Sequence, residues 1–183
     1  MIELYVFGIS IGVSKTETHT LMLKEITGSK YLMVEIGHSE AQSIALQLES
    51  VVSPRPLTHD VILSLTRAFE IDIERVVINK ILEKVFFSEL VCRAGNRILS
   101  IDCRTSDAVA ISLRSGCPIY IEEHVLEEAM EQRLATQIKQ LSDMTEEELT
   151  AKMQAAANRE EYKQAMKYKQ ELMKRNNNTN TQN

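Results

Sequence analysis

Three short stretches of this 183-residue chain bring together the residue types that chemistry at a phosphate needs. They are Ile36-Gly37-His38-Ser39-Glu40-Ala41, Pro54-Arg55-Pro56-Leu57-Thr58-His59-Asp60 and Asp102-Cys103-Arg104-Thr105-Ser106-Asp107-Ala108. Arg55 and Arg104 could each set a planar guanidinium fork against phosphate oxygens, with Thr58 and Ser106 as further substrate contacts. His59 is the candidate general base. Asp60 and Asp107 are candidate catalytic carboxylates which, with Glu40, could hold Mg²⁺ or Mn²⁺ and activate water. His59 and Asp60 are neighbours on a helix and do not share a face, so they would act as separate parts. Each stretch ends at a predicted helix N-terminus, where unpaired N–H groups and the positive end of the helix dipole favour an anion.

A plainer reading stands beside this one. Thr58, Ser106 and Asp107 are ordinary capping residues, and Arg55 and Arg104 are equally suited to structural ion pairs. Carboxylates at Glu35 and Asp102 add to the acidic groups without a spacing that joins them. His38 has a weaker case than His59, and His19 and His124 have none. Nucleotide-binding loops, dinucleotide fingerprints, nucleophile elbows and H-E-x-x-H zinc sites are all missing, so no organic cofactor is expected. Three cysteines, Cys92, Cys103 and Cys117, with no C-x-x-C pair, point to buried thiols rather than disulfides or zinc.

The elements that must position these stretches follow from hydrophobic periodicity. Near-alternating residues 2–11, 20–25 and 31–36 read as strands, the last two as a hairpin through Thr27-Gly28-Ser29-Lys30. Residues 39–48 read as a helix with Ser39 as cap. After the stiff Pro54–Pro56 stretch a second helix starts near Thr58, with Val61, Ile62, Leu65, Ala68 and Phe69 as its expected buried stripe. A β-like run from Ile71 to Ile81, then strands over residues 85–92 and 97–101 joined at Ala94-Gly95-Asn96, make a second meander. Residues 106–113 read as a helix stopped by Gly116 and Pro118, and 119–121 as a short strand. Helix formers dominate from Val125 to about Leu141, and again from Thr145.

The expected fold is therefore α+β: a mixed β-meander domain with packed helices over residues 1–130, then a helical linker (131–145), a helical hairpin (146–175) and a polar tail without structure (176–183). Residues 1–130 carry 12 Lys and Arg against 18 Asp and Glu, a net charge of −6, and the remainder carries +1. An acidic domain needs a local cluster of cations, or metal ions, to hold a polyanion. No apolar run approaches the roughly 18 residues that span a bilayer, and Met1-Ile2-Glu3-Leu4 lacks a basic leader, so no membrane association and a cytoplasmic location are expected.

The three stretches resemble the bifunctional nuclease family, whose pattern runs I-G-x-x-E-A, then P-R-P-x-T-H-D, then D-x-R-P-S-D-A before an apolar helix and P-I-Y. The strings here are IGHSEA (36–41), PRPLTHD (54–60), DCRTSDA (102–108) and PIY (118–120), in the same order over residues 1–130. Thr105 stands where the family usually has proline, a small change at a helix start. The resemblance implies a bacterial nuclease acting on DNA, RNA or both.

Residues 149–172 resemble the UVR motif of excision-repair proteins and of some regulators of bacterial proteolysis. Met153, Ala156, Ala157, Glu161, Tyr162, Ala165 and Leu172 fit the pattern, with the turn near Asn158-Arg159, while Lys163, Lys169 and Gln170 depart from it. The resemblance implies a protein-interaction hairpin, with Met153, Tyr162, Ala165 and Leu172 meeting a protein partner or a second copy. So short a hairpin buries little surface alone, and a homo-oligomer is expected. The rival function is a non-catalytic adaptor or anion-binding regulator acting through this segment.

Overall fold

The computed structural model describes residues 1–11 and 19–180. The chain divides into two compact units, Met1–Met130 and Glu131–Asn183. The first is α+β, built on a mixed seven-stranded sheet of order β3-β2-β1-β7-β4-β5-β6. Its strands are β1 (Ile2–Ile11), β2 (His19–Glu25), β3 (Tyr31–Ile36), β4 (Ile71–Leu82), β5 (Val85–Ala94), β6 (Arg97–Arg104) and β7 (Ile119–Ile121). All neighbours are antiparallel except β4 and β7. That parallel pair requires a long crossover, which β5, β6 and the following helix provide.

Alternation puts Leu21 and Leu23 of β2 with Leu32, Val34 and Ile36 of β3 on the core face. On the other face Tyr5, Lys24 and Tyr31 form a cross-strand row. Lys24 lies over the rings of Phe7 and Tyr31, and the Tyr31 hydroxyl holds its ammonium above the usual lysine range. Val76, Val77 and Ile78 are all buried, so β4 is covered on both faces, which explains its continuous apolar run.

Helices α1 (His38–Leu48), α2 (Thr58–Ala68) and α3 (Thr105–Ser115) lie between strands. Of the three, α3 is the most enclosed, burying Ala108, Val109, Ala110, Ile111 and Ser112. It ends where Gly116 takes a left-handed φ of 78° and donates its N–H to the Ser112 carbonyl, a conformation glycine adopts without strain.

Two sequence expectations change here. The residues preceding the three helices are Gly37, Leu57 and Arg104, none of which supplies a side-chain cap bond, so Ser39, Thr58 and Ser106 fall inside the first turns. The expected buried stripe of α2 is also turned outward. Val61, Leu65 and Phe69 are exposed, Phe69 by 72%, Ile62 is half-buried, and the helix buries His59 instead. Polar bonds to α1 and α3 fix its orientation, and the apolar stripe is left uncovered.

Helix α4 (Glu123–Asp143) begins in the first unit, whose core takes Val125 and Leu126, and in the second unit α5 (Glu146–Asn158) and α6 (Tyr162–Asn180) form an antiparallel hairpin. Thr145 and Glu148 make a reciprocal capping box at the start of α5. Leu149 and Ala156 are buried. Arg175 donates to the carbonyls of Leu141, Ser142 and Met144, satisfying groups at and beyond the end of α4. Helix α6 runs through Asn180, so residues 176–180 of the tail expected to lack structure are helical, and residues 181–183 lie outside the described residues. Among the described residues no helix is long and apolar enough to cross a membrane.

Candidate functional site

Each of the three motif stretches places a carboxylate at the third position of its helix: Glu40 on α1, Asp60 on α2 and Asp107 on α3. This is where an acidic group is favoured by the helix dipole. The side chains then reach across helices. Arg104 Nε donates to Asp107 Oδ2 at 2.7 Å, and its Nη2 donates to Asp107 Oδ1 at 3.1 Å and to Glu40 Oε1 at 2.6 Å. His59 Nε2 lies 3.1 Å from Asp107 Oδ1, and its Nδ1 lies 2.8 Å from Ser43 Oγ. A chain Ser43–His59–Asp107–Arg104–Glu40 thus joins α1, α2 and α3.

Asp60 belongs to a second pair. It accepts the Leu57 N–H at 2.7 Å and Arg114 Nε at 2.6 Å. Arg114 is only 5% exposed and also donates to the carbonyls of Ala110 and Ser43. Asp60 is therefore a brace between α2 and α3, bonded to a different arginine from Asp107. Glu35 lies on β3 opposite Thr20, and Asp102 on β6 opposite Glu89, both exposed on strands rather than at the helix starts. Arg55 and Thr58 are exposed, and among the described residues Arg55 makes no ion pair. Ser106 is buried.

The arginines set the electrostatics. Bonds from Arg114 and the Leu57 N–H hold the Asp60 carboxyl below the usual carboxylate range. Burial pushes Asp107 up, but bonds from Arg104 and His59 outweigh it and hold that carboxyl low as well. Asp107 is then ionised and can only accept, so His59 Nε2 carries a proton, and in the neutral ring Nδ1 accepts from the Ser43 hydroxyl. That order of donors matches an activated serine, yet Ser43 is 3% exposed in the middle of α1 and out of a substrate's reach. Arg104, by contrast, has a side chain 69% exposed, and its Nη1 takes no part in the bonds above. Gly37 bears on the same place. A Cβ there would stand 2.5 Å from Glu40 Oε2, so the bare glycine leaves room for this carboxylate.

A family model described as the bifunctional nuclease domain matches residues 21–133, a span that contains every residue of this network. The chain belongs to the bifunctional nuclease domain family. Relatives include uncharacterized proteins from two strains of Mycobacterium tuberculosis, each 41% identical over 127 residues, covering 69% of this chain and 75% of the relative.

For a bifunctional nuclease domain the question of a metal turns on the donor set. Among the described residues no group of three His, Cys, Asp or Glu side chains is arranged to hold an ion. Glu40 and Asp107 converge, but on Arg104, and Asp60 is engaged by Arg114. The expected trio does not fit a single ion as arranged. Two residues of the site, Ser43 and Arg114, were not singled out by sequence. Ser43 falls one turn after Glu40 on α1, and Arg114 two turns after Asp107 on α3, so helical spacing was the available signal.

The cysteines are not part of this chemistry. Cys92 is buried, and burial pushes the Cys103 thiol up to about 12, which keeps it protonated and unreactive. Of the residues resembling a UVR motif, Met153, Ala165 and Leu172 are half-buried, while Tyr162 is exposed. Met166 and Met173 of α6 are also exposed, as are Leu134 and Ile138 of α4.

Proposed function

We propose that this chain hydrolyses phosphodiester bonds of DNA or RNA, and that Arg104, Glu40, Asp107 and His59 form the reacting site. One observation carries the reading: three separate sequence stretches are linked at one exposed guanidinium, Glu40 and Asp107 bonding Arg104 directly and His59 reaching it through Asp107. Arg104 Nη1 is free to take a phosphate oxygen, and Arg55 supplies a second cation. As the guanidinium turns toward phosphate, an oxygen of Asp107 is released to face an attacking water. Water adds to phosphorus, its proton passes to the released oxygen of Asp107, which His59 holds in place, the phosphorus–oxygen ester bond breaks, and the leaving oxygen takes up a proton from solvent. Ser43 fixes the ring of His59, and Asp60 with Arg114 fixes the position of α2 against α3. These side chains act without a metal in this scheme, and Mg²⁺ or Mn²⁺ dependence is measured alongside.

A second reading, an anion-binding regulator that meets a protein partner or a second copy through the C-terminal hairpin, is favoured by a specific observation. Both ring nitrogens of His59 are already satisfied within the protein, and Tyr162, Met166 and Met173 leave an apolar stripe uncovered on α6.

The two readings separate on single- and double-stranded DNA and RNA, assayed with Mg²⁺, Mn²⁺ or chelator. The expected result is cleavage by the wild type, lost in the His59→Ala, Asp107→Ala double variant. Equal cleavage by both would assign the activity to a contaminant; binding without cleavage under any metal would support the regulator.

A further inference from the structure

His19 and His38 form a pair that lies outside the site described above. His19 Nε2 stands 3.1 Å from His38 Nδ1, with ring centroids 5.3 Å apart and planes 43° from parallel. Neither position is left to chance. His19 opens β2, paired in the ladder with Ile11 on one side and Ile36 on the other, and His38 opens α1 two residues after Ile36. The backbone therefore fixes both histidines, and their ring nitrogens meet at an exposed surface.

We propose that His19 and His38 form a two-histidine chelate for a divalent transition-metal ion of the zinc class, with water completing its coordination. An ion bonded to two imidazole nitrogens at about 2.0 to 2.1 Å holds them about 2.9 Å apart at a right angle and about 3.3 Å apart at the tetrahedral angle. The observed separation lies between these values, so the two nitrogens already stand at chelating distance, and ring rotation that turns both toward a common ion replaces the hydrogen bond by a chelate. Imidazole donors select Zn²⁺, Ni²⁺ or Cu²⁺ over the oxygen-preferring Mg²⁺ and Ca²⁺. Exposure leaves room for waters, and with two protein ligands the ion stays exchangeable. The positive end of α1 opposes the cation, which limits affinity further. A bound ion ties the first residue of β2 to the first turn of α1, the turn that carries Glu40 toward Arg104.

The test is isothermal titration of Zn²⁺ into tag-free protein, with thermal unfolding measured in parallel. His38→Ala alters an exposed helix-start position, so it keeps the fold even if His19→Ala disturbs β2; His124→Ala, another exposed histidine, is the control. One Zn²⁺ per chain is expected in the wild type and in His124→Ala, with affinity reduced by about tenfold or more in His19→Ala and in His38→Ala. No Zn²⁺ binding by the wild type overturns the proposal, and so does binding that His38→Ala leaves unchanged. Neither outcome bears on the nuclease reading, which does not use these residues.

Discussion

Arg114 is nearly excluded from water and has one carboxylate to balance it, so the stability of the site depends on Asp60 more than on its exposed arginine. Replacing Asp60 by Asn leaves a buried guanidinium uncompensated. Because Asp60 itself is partly exposed, the expected cost is about 2 to 3 kcal/mol, below that of breaking a fully buried pair. Chemical denaturation of Asp60→Asn measures this directly; a loss within experimental error of zero would show that water already screens the pair. Acid offers a second check at this scale. Asp60 and Asp107 are both held below the usual carboxylate range, so they bind protons less readily folded than unfolded. Their contribution is complete above about pH 4 and is lost as the pH falls through their folded values. The gap in Tm between wild type and Asp107→Asn should therefore shrink between pH 7 and pH 3. A gap that grows in acid contradicts the assignment. Glu40, His59, Arg104 and Asp107 could be named from residue type and spacing, because their stretches combine acidic, basic and capping groups. For Ser43 and Arg114 helical spacing from Glu40 and Asp107 was the one signal, and it does not give their roles, which exist only once α1 and α3 lie against α2.

At the scale of elements, three helix starts do the positioning, and each sets a carboxylate at the same place in its first turn. Gly37→Ala tests how closely that placement is tuned. A methyl group at 37 meets the end of the Glu40 side chain, which can move, so the fold should survive with stability changed by less than about 1 kcal/mol. The bond from Arg104 to Glu40 should be displaced, and cleavage should fall with it. Full activity in Gly37→Ala would mean that Glu40 takes no part. The strands were legible as elements because their alternation and turn residues agree with a half-buried sheet, as at β2 and β3. The face of α2 was not legible. Its apolar stripe is real, but the bonds of His59 and Asp60 fix the rotation of the helix, and periodicity alone does not weigh a buried histidine against three apolar side chains.

For the whole molecule, charge limits how nucleic acid can be held. The first 130 residues carry −6, and the proposed site counts two cations, Arg55 and Arg104. On single strands each phosphate contact contributes about −0.7 to the slope of log K against log salt, so a slope near −1.4 is expected. A slope several times steeper would locate binding on a basic surface away from this site. The C-terminal unit is read less directly from sequence, because its hairpin buries Leu149 and Ala156 while leaving Tyr162, Met166 and Met173 exposed. The most direct test of the central claim is the cleavage rate of the Arg104→Ala variant against wild type on a single-stranded substrate, with circular dichroism confirming that both are folded. A loss of about a hundredfold or more is predicted, the scale of removing one group that stabilises charge in the transition state. An unchanged rate in the folded variant would contradict the assignment of this network as the place where phosphodiester bonds are broken.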